Sequence, residues 1–300
     1  MNAVKRPNSR RNLDIAIERM AEEHADPLRI RAALAAAVVA QMIPSGVVKG
    51  GSALKLRFGS SQARFTRDLD AARTGDLDIF VEDLDAALRE GWEGFTGHLV
   101  ERSPAHPEGV EERYVMRPYD AKLSYNGKSW MTVPIEIGHN EIGDADEADM
   151  GIAPDICAMF EQLGFPAPEP APLMPLHHQI AQKLHAASTP GSRRAHDLID
   201  LQLIARNTGD LNYELLRTTC VRLFAYRKQQ DWPPVVAEGE RGAKRIESQA
   251  KASTYYQPWK KRSPGRMPSS RKSMQQSNRR PIHVRRFRPF APASTAADRR

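Results

Sequence analysis

Cysteine is nearly absent from this sequence of 300 residues, which contains only Cys157 and Cys220. Two cysteines with no CxxC pair and no Cys/His spacing exclude a disulfide framework and a zinc module, and we expect both thiols to be buried and reduced. Long apolar runs are also absent: none approaches the roughly 20 residues of a membrane span, and residues 1–11 lack the apolar centre of a secretory signal. The sequence therefore predicts a cytoplasmic protein without membrane association.

Acidic residues are scarce at one end of the chain. Residues 238–300 contain 17 Lys and Arg but only 4 Asp and Glu, a net charge of +13. Residues 1–237 contain 27 Lys and Arg and 33 Asp and Glu, a net charge of −6. Because the basic segment has too few aliphatic residues to offset chain entropy, we predict a disordered basic tail. Two interpretations stay open: the tail grips RNA through phosphate neutralisation and base stacking, or it is a solubilising or misframed terminus. The aromatic residues available for stacking are Tyr255, Tyr256, Trp259, Phe287 and Phe290.

Residues 1–165 are predicted to form an α+β core in which helices pack on a mixed sheet. Helical apolar spacing covers 13–24 and 28–42, and Asp26 followed by Pro27 is typical of a helix start. Asn126 and Gly127 predict a two-residue hairpin turn. Strands are predicted at 47–48, around Asp68, and at 77–81, 114–117, 119–125 and 131–137, with helices at 53–58 and from 84 onward.

Proline interrupts this pattern between residues 166 and 175, which predicts a stiff connector and a domain boundary. Helical spacing resumes afterwards, at 176–187, 195–205 and 213–228. The chain is therefore predicted to have three parts. They are the N-terminal helices and core in 1–165, a helical C-terminal unit in 176–237, and the disordered tail in 238–300.

Gly50, Gly51 and Ser52 lie between a short β-branched run and a helical segment, and so at a predicted strand-to-helix turn. Backbone N–H groups at a helix start attract anions, which makes the turn a candidate site for nucleotide phosphates. Gly-Gly-Ser alone is common in loops. The triplet becomes informative only with the carboxylates that follow it.

Asp68 and Asp70 alternate along the next predicted strand, so their side chains share one face. Two carboxylates on one face predict Mg²⁺ binding, and the alternative is a solvated turn without a ligand. A second doublet, Asp76 and Asp78, follows closely, and spacing alone does not choose between the two. We favour Asp68 and Asp70 because Asp76 is typical of a turn or helix start, and the possibility that Asp78 assists stays open.

Glu136 is the candidate for a third metal ligand. A phosphate-binding turn followed by paired carboxylates is typical of a nucleotidyltransferase active site. Nucleotidyl transfer uses two Mg²⁺ ions held by carboxylates on neighbouring strands. Glu136 is the only charge in the apolar strand predicted at 131–137, and an isolated charge there is costly without a partner or a metal. The alternative is an edge-strand glutamate that faces water, which Pro134 favours.

Charged residues also interrupt the apolar faces of two predicted C-terminal helices. Lys183 lies in the middle of an apolar stripe, so either its stem reaches to solvent or its ammonium faces a buried anion such as a nucleotide triphosphate. Asp197 has apolar neighbours at i+4 and i+7, and a structural ion pair with Lys183 or an arginine is its alternative. Arg193 and Arg194 are candidates to pair with these acids or with phosphate.

Four motifs, in this order, resemble those of the AbiEii/AbiGii family of nucleotidyltransferase toxins. They are GGSAL at 50–54, RFTRDLD at 64–70, IAQKLHA at 180–186 and RAHDLIDL at 194–201. The resemblance covers about residues 30–210 and implies a polymerase-β-like nucleotidyltransferase core with a helical C-terminal part. The chain departs from the family in having His196 before Asp197, where family members usually have Arg or Lys, and in its basic tail, which is not part of the family pattern.

The resemblance implies roles for the motif residues. Ser52 would contact the triphosphate together with Gly50 and Gly51, Lys183 would bind phosphate, and Asp197 would be the last catalytic acid. Asp68 and Asp70 would be catalytic metal ligands. Glu136 lies outside the four motifs and is the third metal-binding candidate by its position in the strand alone.

The expected function is a Mg²⁺-dependent nucleotidyltransferase that moves a nucleoside monophosphate from an NTP to a hydroxyl acceptor. We expect the acceptor to be RNA, tRNA in particular, and we expect two Mg²⁺ ions as cofactors. By the resemblance, the enzyme would act as the toxin of a toxin-antitoxin or phage-defence system and have a cognate antitoxin as partner. The alternatives are a small-molecule nucleotidyltransferase that modifies a drug or sugar, and a non-catalytic nucleic-acid-binding protein.

Overall fold

A computed structural model describes most of the chain up to residue 234. The residues described are 4–24, 26–104, 115–189, 192 and 194–234. Arg193 and the predicted tail of 238–300 lie outside them, so the interpretations of both stay predictions. The described residues belong to a unit that spans Met1–Pro258, and the boundary predicted within it, between 1–165 and 176–237, also stays a prediction.

A mixed sheet of seven strands forms the centre of the described part of the chain. The strands are β1 (Gly46–Lys49), β2 (Leu69–Arg73), β3 (Phe95–Glu101), β4 (Arg117–Tyr125), β5 (Lys128–Gly138), β6 (Asp149–Gly151) and β7 (Ala171–Leu173). Their order across the sheet is β3-β4-β5-β2-β1-β7-β6. β2 is parallel to β5 and β1 to β7, while the other neighbours are antiparallel. The predicted α+β fold with a mixed sheet is confirmed.

The described ranges contain eight helices. They are α1 (Arg10–His24), α2 (Pro27–Ala40), α3 (Gly50–Phe58), α4 (Leu77–Glu90), α5 (Pro154–Gln162), α6 (Leu176–Ser188), α7 (Ala195–Asn207) and α8 (Tyr213–Arg227). Asp26 caps α2 as predicted, since its carboxylate accepts a hydrogen bond of 2.9 Å from the N–H of Leu28. The predicted hairpin turn joins β4 to β5, with φ angles of 46° at Asn126 and 72° at Gly127.

The two faces of the sheet differ in chemistry because strand side chains alternate. Val48 and Ala71 are paired and fully buried in the main core, to which α1, α2 and α4 also contribute. One residue along, the opposite face carries Lys49, Asp70 and Glu136 side by side on β1, β2 and β5. The sheet thus presents a row of charged residues opposite its apolar core.

Helices α6 to α8 pack together, and this group reaches the start of α3. Leu54 of α3, Ile180 of α6 and Ile204 of α7 form a small buried cluster. Gln179 donates a hydrogen bond of 2.8 Å from Nε2 to the carbonyl oxygen of Gly50. The C-terminal helices are therefore fixed directly against the strand-to-helix turn.

Two predicted strands need correction. Residues 77–81 belong to α4, because Asp76 caps the helix and Phe80, Leu84 and Leu88 form a buried stripe with a spacing of four residues. In the strand predicted at 114–117, residues 115 and 116 are not extended in the sheet, and β4 begins at Arg117. Tyr114 lies outside the described residues.

The proline segment at 166–175 is also more than a connector, because it supplies β7. Leu173 pairs with Val48 of β1, and the N–H of Met174 donates to the carbonyl oxygen of Val48 at 2.9 Å. Both contacts are made by residues that follow Pro172, so its missing N–H does not prevent pairing with β1. In the described part of the chain, no helix is long and apolar enough to cross a membrane.

Candidate active site

Gly50 brings the turn between β1 and α3 into contact with Asp70. Its φ of +65° lies in the left-handed region that glycine tolerates, and a Cβ here would lie 1.9 Å from Oδ2 of Asp70. No side chain in the described residues caps the start of α3, so its first backbone N–H groups are available to an anion. The predicted turn is present, with a carboxylate beside it.

Ser52 connects α3 to the segment before β2. The side chain is 1% exposed, and Oγ donates a hydrogen bond of 2.5 Å to the carbonyl oxygen of Asp68. The observed contact therefore positions Asp68 relative to α3. The role expected for Ser52, contact with a triphosphate, stays a prediction.

Asp70 and Glu136 are direct neighbours on the parallel strands β2 and β5. Asp68 lies immediately before β2 and is exposed, whereas the sequence predicted it within the strand. Burial raises the pKa of Asp70, although the charges of Lys49 and Lys183 oppose the shift. Burial also raises the pKa of Glu136, and the nearby charges of Asp70 and Asp68 add to it. The three carboxylates therefore interact electrostatically with one another.

Glu136 does not lie on an edge strand, which was the alternative reading of this residue. β5 lies between β4 and β2. Pro134 is accommodated because pairing with β2 begins one residue later, where Ile135 faces Leu69. Glu136 is nevertheless exposed, so its carboxylate is accessible to a ligand on the charged face of the sheet.

The donor chemistry of this group fits Mg²⁺. The ion prefers oxygen ligands and is commonly bound by one or two carboxylates while water and substrate phosphates complete its coordination. Within the described ranges, no set of three or more Asp, Glu, His or Cys side chains is close enough to hold a metal ion. The fit is therefore to Asp68 and Asp70 together with substrate oxygens, and Glu136 stays a candidate beside them.

Lys183 is buried among carboxylates rather than extended to solvent. Its Nζ lies 3.2 Å from Oδ1 of Asp197 and 2.6 Å from Oδ2 of Asp200, and its side chain is 7% exposed. The ammonium group of Lys183 therefore faces buried anions, as one of its two interpretations predicted. In this structure those anions are the carboxylates of Asp197 and Asp200. The charge of Lys183 also acts on Asp70, so this ion-pair cluster lies near the candidate metal site.

Asp197 forms the ion pairs that its structural alternative predicted. Besides Lys183, it contacts Nε of Arg194 at 2.6 Å. Burial alone would raise the pKa of Asp197, but Lys183 and Arg194 outweigh it and hold the pKa below its ordinary value. His196, the residue that departs from the family pattern, lies 3.6 Å from the same carboxylate. A catalytic role for Asp197 stays a prediction.

The second acidic doublet is part of a helix start. Asp76 caps α4 and accepts hydrogen bonds from the N–H groups of Asp78 at 2.8 Å and Ile79 at 3.3 Å. This is the helix-start role favoured for Asp76 from the sequence, and the choice of Asp68 and Asp70 as the metal ligands stays a prediction.

Three residues of this region received no role from the sequence. Asp200 is 1% exposed and bonds both Lys183 and Arg64, the latter through Nε at 3.2 Å. Lys49 faces Asp70 across β1 and β2, and its Nζ would lie 2.8 Å from a Cβ placed at Gly138. Asp200, Arg64 and Lys49 all belong to or adjoin the recognised motifs. The sequence shows that they are charged, but it does not show which residues they contact.

The family model for the AbiEii nucleotidyl transferase toxins of type IV toxin-antitoxin systems matches residues 32–280. The chain belongs to this family. It is therefore a nucleotidyltransferase of the toxin-antitoxin type. Among curated proteins, none matches the sequence.

Solved structures of nucleotidyltransferases resemble the family member described here. MenT4, a nucleotidyltransferase toxin from Mycobacterium tuberculosis H37Rv, matches with a TM-score of 0.50 and 18% identity over 80% of this chain and 89% of that chain. An antigenic nucleotidyltransferase-like protein from Paracoccidioides brasiliensis matches with a TM-score of 0.36 and 16% identity over 74% of this chain and 93% of that chain. At 18% identity the first likeness supports the fold alone, and nothing is drawn from the second.

The AbiEii match extends beyond the motifs that suggested it. Those motifs cover about residues 30–210, whereas the family model reaches residue 280. The expectation that the basic tail falls outside the family pattern is therefore wrong for most of that segment. The match includes its first basic residues as well as the aromatic residues from 255 to 259.

Proposed function

We propose that this AbiEii-family enzyme transfers a nucleoside monophosphate from an NTP to a hydroxyl group of RNA, tRNA in particular, and requires Mg²⁺. The acceptor oxygen forms a bond to the α-phosphorus, the bond from that phosphorus to the bridging oxygen breaks, and pyrophosphate leaves with the electron pair. The hydroxyl proton passes to solvent. Modification of RNA would inhibit growth, and a cognate antitoxin would restrain the enzyme.

One observation supports the proposal most directly. The uncapped start of α3, which suits phosphate, touches Asp70, which stands beside Glu136 and near Asp68. Nucleotidyl transfer requires a phosphate-binding group next to metal-binding carboxylates. A general anion site would need the first feature but not the second.

Each group has a distinct role in this proposal. Asp68 and Asp70 hold Mg²⁺, with Glu136 as the third carboxylate, and Gly50 and Gly51 permit the triphosphate to approach the backbone. When bound, the ion would neutralise charge at the reacting phosphate and lower the pKa of the attacking hydroxyl.

The C-terminal helices complete the site. Lys183 adds positive charge near the phosphates, and its three N–H donors are only partly used by Asp197 and Asp200. These carboxylates fix the ammonium in place. We propose that the cluster serves substrate binding in addition to stabilising the contact between α6 and α7.

The acceptor is tested by incubating the protein with Mg²⁺, total RNA and each of the four NTPs labelled at the α-phosphate. We expect label in RNA, with tRNA as the main product. Label only in small molecules would replace RNA with a small acceptor, and no label with any NTP would contradict catalysis. Asp70→Asn should abolish labelling, whereas Asp83→Asn, a matched change at an exposed carboxylate on α4, should preserve it.

A further inference from the structure

Arg64 uses only part of its hydrogen-bonding capacity within the protein. A guanidinium group has five N–H donors, and Nε of Arg64 lies 3.2 Å from both carboxylate oxygens of Asp200. Within the described part of the chain, no residue accepts a hydrogen bond from Nη1 or Nη2. The side chain is 23% exposed, so these donors remain accessible. The forked end of Arg64 is therefore held in place through Nε while its other donors are available.

This forked end lies over the start of α3. A Cβ placed at Gly51 would lie 2.8 Å from Nη2 of Arg64. The φ angle of Gly51 is not in the left-handed region, so close approach, rather than backbone conformation, is what calls for glycine here. The guanidinium and the uncapped N–H groups of α3 thus border the same space.

Three basic side chains lie around that space. Lys183 and Arg64 both contact Asp200, and both charges act on Asp70. Lys55 lies nearby and is only 3% exposed, and burial together with the charges of Arg29 and Arg64 lowers its pKa to about 7. A bound polyanion would offset this repulsion.

Two adjacent glycines separate the two sides of the site: Asp70 touches Gly50, whereas Arg64 touches Gly51. In the proposed reaction the α-phosphorus must lie at the carboxylates, so the other two phosphates extend along the start of α3. We infer that Arg64 binds the two phosphates that leave as pyrophosphate and neutralises the charge that develops on them. This inference rests on the proposed function, because it assigns a residue to the leaving group of that reaction.

Inorganic tripolyphosphate tests the inference, because it carries the charge of a nucleotide triphosphate without base or sugar. Arg64→Gln should weaken its binding at least about tenfold, the usual effect of losing a charge-assisted hydrogen bond. Gly51→Ala should weaken it similarly, since the methyl group displaces Nη2. The affinity for a nucleoside monophosphate should stay the same in both variants.

Arg89→Gln is the matched control. Arg89 also pairs through Nε with an aspartate, at 2.7 Å from Asp85, but it lies on α4 outside the site and its side chain is 65% exposed. Its replacement should change the tripolyphosphate affinity by less than about twofold. Arg64→Lys guards against a folding defect, because an ammonium group can still pair with Asp200 but lies one bond short of the Nη positions. It should retain the wild-type melting temperature and lose about tenfold in affinity.

The outcomes distinguish this inference from the proposed function. Wild-type affinity for tripolyphosphate in Arg64→Gln and Arg64→Lys would overturn the inference, as would an equal loss in Arg89→Gln or in monophosphate binding. If the wild-type protein binds tripolyphosphate through Arg64 but labels no acceptor, the proposed function fails alone. If it labels RNA and Arg64 does not affect tripolyphosphate, the inference fails alone.

Discussion

At the scale of single residues, glycine at position 50 sets the distance between the candidate metal site and the phosphate site. Asp70 occupies the space that a Cβ would fill, with Oδ2 only 1.9 Å from that position. The carboxylate is therefore as close to the start of α3 as the backbone permits. A nucleotide whose phosphate binds at the start of α3 would therefore also lie beside a metal ion bound by Asp70.

We predict that Gly50→Ala abolishes nucleotidyl transfer, because the methyl group must displace Asp70 while alanine adopts a φ of +65°. Gly127→Ala is the matched control, since Gly127 has a φ of +72° but no atom within 4 Å of the added Cβ. Each variant should lose about 1–2 kcal/mol of unfolding free energy from backbone strain, and Gly50→Ala should lose more. Equal activity in the two variants, measured by label transfer, would contradict the importance of the contact.

Lys55 is a second residue whose environment makes a measurable difference. Its Nζ donates a hydrogen bond of 2.8 Å to the carbonyl oxygen of Thr66, which fixes the segment before Asp68 to α3. Burial lowers its pKa from 10.5 to about 7. Between these values the unfolded chain binds more protons than the folded protein, so this residue's contribution to stability rises with pH across that window.

Lys55→Met should remove this pH dependence. We expect the unfolding free energy of the wild type, relative to that of Lys55→Met, to rise by up to about 1.4 kcal/mol per pH unit between pH 7 and 10. Chemical denaturation of both proteins at several pH values measures the difference. A difference that stays constant, or falls with increasing pH, would show that Lys55 is not held in this environment.

At the scale of elements, strand alternation and register explain how residues far apart in sequence form one charged row. Lys49, Asp70 and Glu136 lie on three adjacent strands at matching positions. The alternation within each strand could be read from the sequence, and so could the hairpin at Asn126 and Gly127, because both depend on local geometry. The pairing of β2 with β5 is long-range and could only be expected from the need for a third carboxylate.

Helix capping gives Asp76 of the second acidic doublet a structural role. The carboxylate of Asp76 accepts hydrogen bonds from the first N–H groups of α4. We therefore predict that Asp76→Ala lowers the unfolding free energy by about 1 kcal/mol and leaves label transfer unchanged. Thermal denaturation and the transfer assay measure the two effects. A folded Asp76→Ala protein without activity would return the metal site to the second doublet.

Local patterns failed where packing or pairing outweighed them. The apolar run at 77–81 suggested a strand, but the cap at Asp76 and the buried stripe of Phe80, Leu84 and Leu88 make it helical. The short strand β7 has three residues and contains Pro172, so its sequence carries no strand signal, and its partners on β1 and β6 create it. Arg64 and Asp200 are 136 residues apart, a contact that no periodicity indicates.

At the scale of the whole molecule, the candidate site is assembled from the core and the C-terminal helices. Gln179 reaches Gly50, Lys183 lies near Asp70, and Asp200 holds Arg64. We propose that the part within 1–165 supplies the metal ligands and the part within 176–237 supplies the phosphate-binding charge. The motif order in the sequence indicated this division, because motifs from both parts were needed for the resemblance.

Of the two open interpretations of the basic segment of 238–300, RNA binding makes a testable prediction. A chain that ends at Ala237 should need a higher RNA concentration for half-maximal labelling and show a flatter dependence on salt, because fewer phosphates are neutralised. Its melting temperature and its affinity for tripolyphosphate should match those of the full chain. An unchanged RNA requirement would favour the solubilising interpretation of the tail.

The central claim is that Asp68 and Asp70 hold the metal at which an NTP is split. The most direct test measures label transfer from α-labelled NTP, together with pyrophosphate release, by the wild type, by an Asp68→Asn/Asp70→Asn double variant and by Asp83→Asn. We predict that the wild type and Asp83→Asn are active with Mg²⁺ and inactive with a chelator, and that the folded double variant is inactive under both conditions. Full activity in the double variant would contradict the claim.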